Sequence, residues 1–174
     1  QYMELEKEIN AGIKNVLEHG KYIMGPEVQQ LEKELCDYTG SKYCLTCANG
    51  TDALQMALMV LDIGPGDAVF VPSFTFMSTA EVVNLVGATP VFADIDLDSF
   101  NLDPESFEKA VKETLSKGIL KPKAVIPVDL FGQCADYEKI IPIAKKYGLF
   151  VIEDAAQGFG GSINGQMACS FGDI

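Results

Sequence analysis

The sequence predicts an α/β fold, a three-layer arrangement in which a mostly parallel sheet carries helices on both faces. From Gly40 onward, short apolar runs alternate with segments whose apolar residues recur at helical spacing. The runs have the character of strands covered on both faces, and the segments between them are long enough for the crossovers that parallel neighbours need. No internal repeat or low-complexity linker interrupts the pattern, so the chain reads as one domain or part of one.

Two helices lead, within residues 1–39. Leu5, Ile9, Ile13, Val16 and Leu17 share a face of the first, which Gly20 stops; Val28, Leu31, Leu35 and Tyr38 share a face of the second, which follows Pro26. "KYCLTC" (42–47) is then expected as a strand and "GTDALQMALMVL" (50–61) as a helix. The alternation continues with strand "AVFVP" (68–72), helix "FMSTAEVVNLVG" (76–87), strand "TPVFAD" (89–94) and helix "DPESFEKAVKETL" (103–115). It closes with strand "KAVIPV" (123–128), helix "ADYEKIIPIAKKYG" (135–148) and strand "LFVIED" (149–154). Asp103 and Pro104 supply an N-cap and a first-turn proline, while Lys145, Lys146 and Gly148 supply a basic last turn and a stop. Pro142 lies too deep in its helix to be free, at about 3 kcal/mol in a regular interior. A kink or restart is expected there.

Composition narrows the function classes. With 48% hydrophobic and 22% charged residues among 174, the chain can bury a large core. A net charge of -12, from 25 acids against 13 Lys and Arg, disfavours nucleic acid and anionic membranes as partners. An anionic ligand must therefore be held by backbone amides or a few placed groups. No run approaches the ~18 to 20 apolar residues of a membrane span, and "QYMELEKEIN" does not resemble a secretory signal, so a cytoplasmic protein is expected. Cys36, Cys44, Cys47, Cys134 and Cys169 are odd in number in a chain too large to need stapling, which points to a reducing compartment. Cys44 and Cys47 form a C-x-x-C without a second pair or a nearby histidine, so no metal site is expected and strand burial explains them as well. His19, the only histidine, sits at a polar helix end and is a poor candidate for catalysis.

In open parallel sheets ligands bind beyond the carboxyl ends of the strands. Three segments fall there. In "CANGTDALQMAL", Asn49 and Gly50 make a tight turn, and Thr51 and Asp52 open a helix whose free amides could cradle a phosphate; simple capping explains the same residues. The Asp52 carboxylate would repel phosphate and must point aside, leaving its amide. In "VPSFTFMSTA", Phe74 and Phe76 follow a strand, where an aromatic can stack on a planar ring or merely fill the core. In "LFVIEDAAQGFGG" (149–161), Asp154 ends a buried strand, and a carboxylate there is costly unless paired. The chain contains no Arg, and the nearest lysines in sequence, Lys145 and Lys146, belong to the preceding helix end. A bound cation, such as a protonated ring nitrogen, would serve as partner. Glu153 alternates to the other side of the strand and reads as structural.

Together these segments resemble the DegT/DnrJ/StrS-type sugar aminotransferases, a branch of the fold-type I pyridoxal phosphate enzymes. The matching text is "GKYIMGPEVQQLEKEL", "NGTDALQMAL", "GPGDAVFVPSFTFMSTAEVV", "GATPVFADID", "PVDLFGQCAD" and "VIEDAAQGFG", nearly the whole chain. The resemblance implies that residues 1–174 are the N-terminal portion of the cofactor-binding large domain. It implies pyridoxal 5'-phosphate as cofactor, with Gly50, Thr51 and Asp52 around the phosphate and Phe76 stacked on the pyridine ring. Asp154 would be catalytic by pairing with the pyridinium nitrogen, and Gln157 would hydrogen-bond the 3-hydroxyl. A protonated ring is the electron sink that transamination needs. The family often has His where Asp129 stands, which leaves a substrate contact there open.

The family's Schiff-base lysine, in an "S-x-x-P-x-K"-like turn, has no counterpart before Ile174. It is expected further on, together with a C-terminal small domain, and the chain by itself is expected to be inactive. The implied reaction is transfer of an amino group from an amino acid, glutamate by resemblance, to a nucleotide-linked keto sugar. The members that look most like this chain act on UDP-linked acetamido sugars, including 3-keto uronic acids for cell-surface polysaccharide, and the implied assembly is a homodimer. A sugar dehydratase of the same family is the alternative, with His in place of the lysine. A non-catalytic α/β nucleotide-binding module is the alternative of another class, disfavoured because G-x-G-x-x-G does not follow a first strand.

Overall fold

The computed structural model describes residues 1–174, which form two compact units, Gln1–Thr46 and Cys47–Ile174. The first unit holds α1 (Tyr2–His19) and α2 (Pro26–Thr39), each closed by a glycine in the left-handed region, Gly20 and Gly40. The apolar stripe of α1 exists as expected, but Leu5, Ile13 and Leu17 on it remain exposed. The expected strand at 42–47 does not form. A run of strand-forming residues becomes a strand only where a neighbour accepts its ladder, and no segment of residues 1–174 pairs with it. Thr46 instead donates its amide and its hydroxyl to Glu32 Oε1, both at 2.9 Å.

The second unit begins with α3 (Gly50–Val60), β1 (Asp67–Pro72), α4 (Ser78–Leu85) and β2 (Thr89–Ala93). It continues through α5 (Pro104–Lys117), β3 (Lys121–Val125), a 3-10 turn (Leu130–Gly132), α6 (Tyr137–Tyr147) and β4 (Phe150–Val151). A small antiparallel hairpin, β5 (Ser162–Ile163) and β6 (Gln166–Met167), comes last. The main sheet is wholly parallel in the order β2-β1-β3-β4.

Alternation along the strands builds the layers. Every residue of β1 is buried. Ala68 and Phe70 pack with Phe107, Val111, Tyr137 and Ile140 from α5 and α6, while Val69 and Val71 pack with Leu58, Val82 and Val83 from α3 and α4. Each such side chain contributes roughly 1.5 to 3 kcal/mol when fully buried. Phe70 and Phe107 meet edge to face with centroids 5.6 Å apart.

The capping signals act as read. Asp103 accepts from the Glu105 amide at 3.0 Å, and Gly148 closes α6 in the left-handed region. No break occurs at Pro142, because α6 runs continuously from Tyr137 to Tyr147. The bond lost to the proline is the one to the carbonyl of Glu138, an exposed first-turn residue that water can serve. Beyond Val151 the last strand keeps its ladder: Ile152 donates to Val125 O, Asp154 donates to Pro127 O, and Asp129 donates to Asp154 O.

The strand order fixes where a ligand can enter. From β1 the chain crosses by α4 to β2 on one side, then by α5 over the opposite face to β3 on the other side. Helices that leave on opposite faces open a crevice between the carboxyl ends of β1 and β3, the topological switch point of the sheet.

Candidate functional site

The turn into α3 is a reciprocal cap. Asn49 Oδ1 accepts from the Asp52 amide at 2.9 Å, and Asn49 Nδ2 donates to Asp52 Oδ2 at 3.0 Å. The Asp52 carboxylate is thereby turned aside as expected, but its amide is also taken. The amides of Gly50 and Thr51 remain as the open donors of the helix end. No hydrogen bond joins Gly50, Thr51 or Asp52 to the other expected site residues; α3 reaches them through its packing on α4.

The loop after β1 delivers Phe74 and Phe76 to the carboxyl edge. Phe76 is 71% exposed, so the core reading fails for this ring. Its carbonyl accepts from the Thr79 amide at 3.2 Å. Thr79 is fully buried, shares a 3.1 Å hydrogen bond with the Thr75 hydroxyl and reaches the Asp154 carboxyl. One threonine thus lies between Phe76 and Asp154, and nothing in the sequence marks it, since Ser78, Glu81 and Asn84 are polar residues of the same helix.

The two acids of the last strand end part company. Glu153 Oε1 accepts from the Cys169 amide at 2.5 Å, and its Oε2 accepts from Phe171 at 2.7 Å and Gly172 at 3.2 Å. Those amides account for its charge and make it structural, as its alternation predicted. Asp154 is treated differently. It accepts from the Ala156 amide at 3.2 Å, and burial pushes its carboxyl above the ordinary carboxylate range despite that bond and the Thr79 hydroxyl. No salt bridge reaches Asp129, Glu153 or Asp154.

Asp129 is fully buried and lies inside the wall of the site. Its Oδ1 accepts from the Ala135 amide and the Tyr137 hydroxyl, both at 2.9 Å, while its Oδ2 has no partner. Burial raises its pKa to about 6, with the charges of Glu153 and Asp154 adding to the effect. It packs against Gly158, where an added Cβ would come within 2.4 Å of the Asp129 Cβ. Only glycine lets the loop that carries Gln157 lie this close.

Gln157 meets the 3-10 turn. Its Oε1 accepts from the Phe131 amide at 2.9 Å, which leaves the amide NH2 as a donor. Phe131 has φ 57°, and its ring forms an exposed cluster with Phe74 (centroids 6.4 Å apart) and Phe100 (6.0 Å).

These residues lie where family enzymes are matched along their length: the pattern of the DegT/DnrJ/EryC1/StrS aminotransferase family covers residues 3–174. The chain belongs to that family. A relative of this chain is the UDP-2-acetamido-2-deoxy-3-oxo-D-glucuronate aminotransferase of Pseudomonas aeruginosa, 51% identical across 100% of this chain and 46% of the relative. A solved DegT DnrJ EryC1 StrS aminotransferase from Brucella abortus superposes with a TM-score of 0.98 at 55% identity, over 99% of this chain and 46% of that one. NtdA from Bacillus subtilis, solved with bound cofactor PMP, superposes with a TM-score of 0.84 at 34% identity, over 95% of this chain and 36% of that one. The chain therefore spans less than half the length of these relatives. Its fold is that of fold-type I aminotransferases.

Proposed function

We propose that the protein carrying this chain is a pyridoxal phosphate-dependent aminotransferase that moves an amino group from an amino acid donor, glutamate by family resemblance, to a nucleotide-linked keto sugar. The name of the Pseudomonas aeruginosa relative supports a UDP-linked acetamido sugar as the acceptor. The observation that carries the reading is Asp154. It is a desolvated carboxylate at the carboxyl end of the last strand of the sheet, hydrogen-bonded by the Ala156 amide and near the Thr79 hydroxyl, with no cationic side chain in reach. A protonated pyridine nitrogen supplies the missing charge.

The residues present fit that cofactor. The open amides of Gly50 and Thr51, with the Thr51 hydroxyl, would hold a phosphate at the positive end of α3, and Asp52 keeps Asn49 in its cap. Phe76 offers its exposed ring as a stacking surface, and the NH2 of Gln157 would donate to the 3-hydroxyl oxygen. When bound, pyridoxal phosphate supplies the electron sink for the charge left as an amino acid loses its α-proton. Asp154 would hold the ring nitrogen protonated, and pairing would offset the burial penalty on its own ionised form. The lysine that anchors the cofactor and carries the proton is assigned to residues outside 1–174, within a homodimeric cytoplasmic enzyme.

Titration of the full-length protein with pyridoxal phosphate, followed by absorbance of the bound chromophore, tests the reading. Saturable binding and amino transfer are expected in the wild type. Asp154→Asn should keep the fold and lose at least ~100-fold in turnover. Absence of binding overturns the cofactor assignment, and near-normal turnover in Asp154→Asn overturns the pyridinium pairing.

A further inference from the structure

The expected role of Gln157 depends on which way its amide points, and the structure contains a device that decides this. An N–H group can be accepted only by the amide oxygen, so the Phe131 amide holds Oε1 and turns the NH2 away. Phe131 makes this bond from a turn in which it adopts the left-handed region, at φ 57°, which costs a non-glycine residue about 1 to 2 kcal/mol. Something must hold the turn in that state. Asn101, 3% exposed, does so from outside the turn: its Oδ1 accepts from the Leu130 amide at 3.0 Å, and its Nδ2 donates to the Gln133 carbonyl at 2.9 Å. The two bonds bracket Phe131 on either side.

Asn101 is itself set in place by its own loop. Asp96 Oδ1 accepts from the Ser99 amide and hydroxyl, the Asp96 amide donates to the Asn101 carbonyl, and Phe100 adopts φ 62°. The Phe100 ring then packs against Phe131 at 6.0 Å.

We propose that Asn101 is a positioning residue for the cofactor's 3-hydroxyl: by clamping both ends of the 130–133 turn it fixes the Phe131 amide, which orients the Gln157 amide so that its NH2 faces the cofactor. This rests on the pyridoxal phosphate reading above. Asn101 touches neither cofactor nor substrate in this scheme.

The test is calorimetric binding of pyridoxal phosphate and of its 3-deoxy analogue to the apo form of the full-length protein. The wild type should bind the deoxy analogue about tenfold more weakly, the loss of one hydrogen bond. Asn101→Ala should bind both compounds with the same affinity, as should Gln157→Ala, and the double variant should lose no further discrimination. A merely structural role for Asn101 would weaken both compounds equally and leave the tenfold ratio intact, which overturns the proposal. Asn101→Asp keeps the oxygen facing Leu130 and loses the donor to Gln133, so it guards against a misfolded alanine variant. It should lose part of the ratio, and a full ratio in whichever variant folds also overturns the proposal. A wild type that binds both compounds equally removes the Gln157 link while sparing the cofactor reading; one that binds neither overturns both.

Discussion

Asp129 is the residue whose environment differs most from what its sequence neighbours suggested. It lies fully buried, its charge disfavoured by desolvation and by two nearby acids, with a pKa raised to about 6. A folded-state pKa above the unfolded value means that the native protein binds the extra proton, so stability falls as pH rises from about 4 to about 6. The shift corresponds to about 3 kcal/mol. Asp154, raised in the same direction, adds to the trend in the apo protein. Glu108, held near 2 by Lys146 and Lys112, acts in the opposite sense but only below about 4.5. Asp129→Asn should therefore flatten the fall in stability between about pH 4 and about pH 6, as read by urea midpoints of the apo full-length protein. An unchanged pH slope would show that Asp129 is not the titrating group. The departure from histidine at this position gains a physical meaning: the side chain supports Gly158 and Tyr137 from inside the wall.

At the scale of elements, Glu153 shows how a strand end can organise the chain on its carboxyl side. Its carboxylate gathers the amides of Cys169, Phe171 and Gly172 and so folds the turn after the hairpin back onto the sheet. Glu153→Gln replaces one accepting oxygen with a donor that faces amide donors. A loss of roughly 1.5 to 3 kcal/mol is expected, as for hydrogen bonds to a charged group. Amide exchange at Phe171 and Gly172 should quicken well before that of β1, and equal protection in both proteins would refute the role. Elements whose signal was periodic were legible in the sequence: α3, α5, α6 and β1 lie within a few residues of expectation. Those that depended on a neighbour were not, since 42–47 found no partner strand and Pro142 found a place where its missing donor did no damage.

For the molecule as a whole, the exposed rings of Phe74, Phe100 and Phe131 form an apolar cluster of the kind that marks an interaction site. The homodimer assignment fits such a surface, and light scattering on the full-length protein should return twice the chain mass; a monomer at micromolar concentration would remove it. No helix is long and apolar enough to cross a membrane. By itself the sequence determined the layered α/β class, the two-faced strands and the residues delivered to the strand ends, because these arise from local period and capping chemistry. It also separated Glu153 from Asp154, because successive residues on a strand face opposite ways. Only the tertiary structure decided that the switch point lies between β1 and β3, that Thr79 reaches Asp154, and that Asn101 governs the turn facing Gln157. Those depend on partners such as Asn101 with Leu130 and Gln133, 29 and 32 residues apart, at separations that carry no period for a sequence to display.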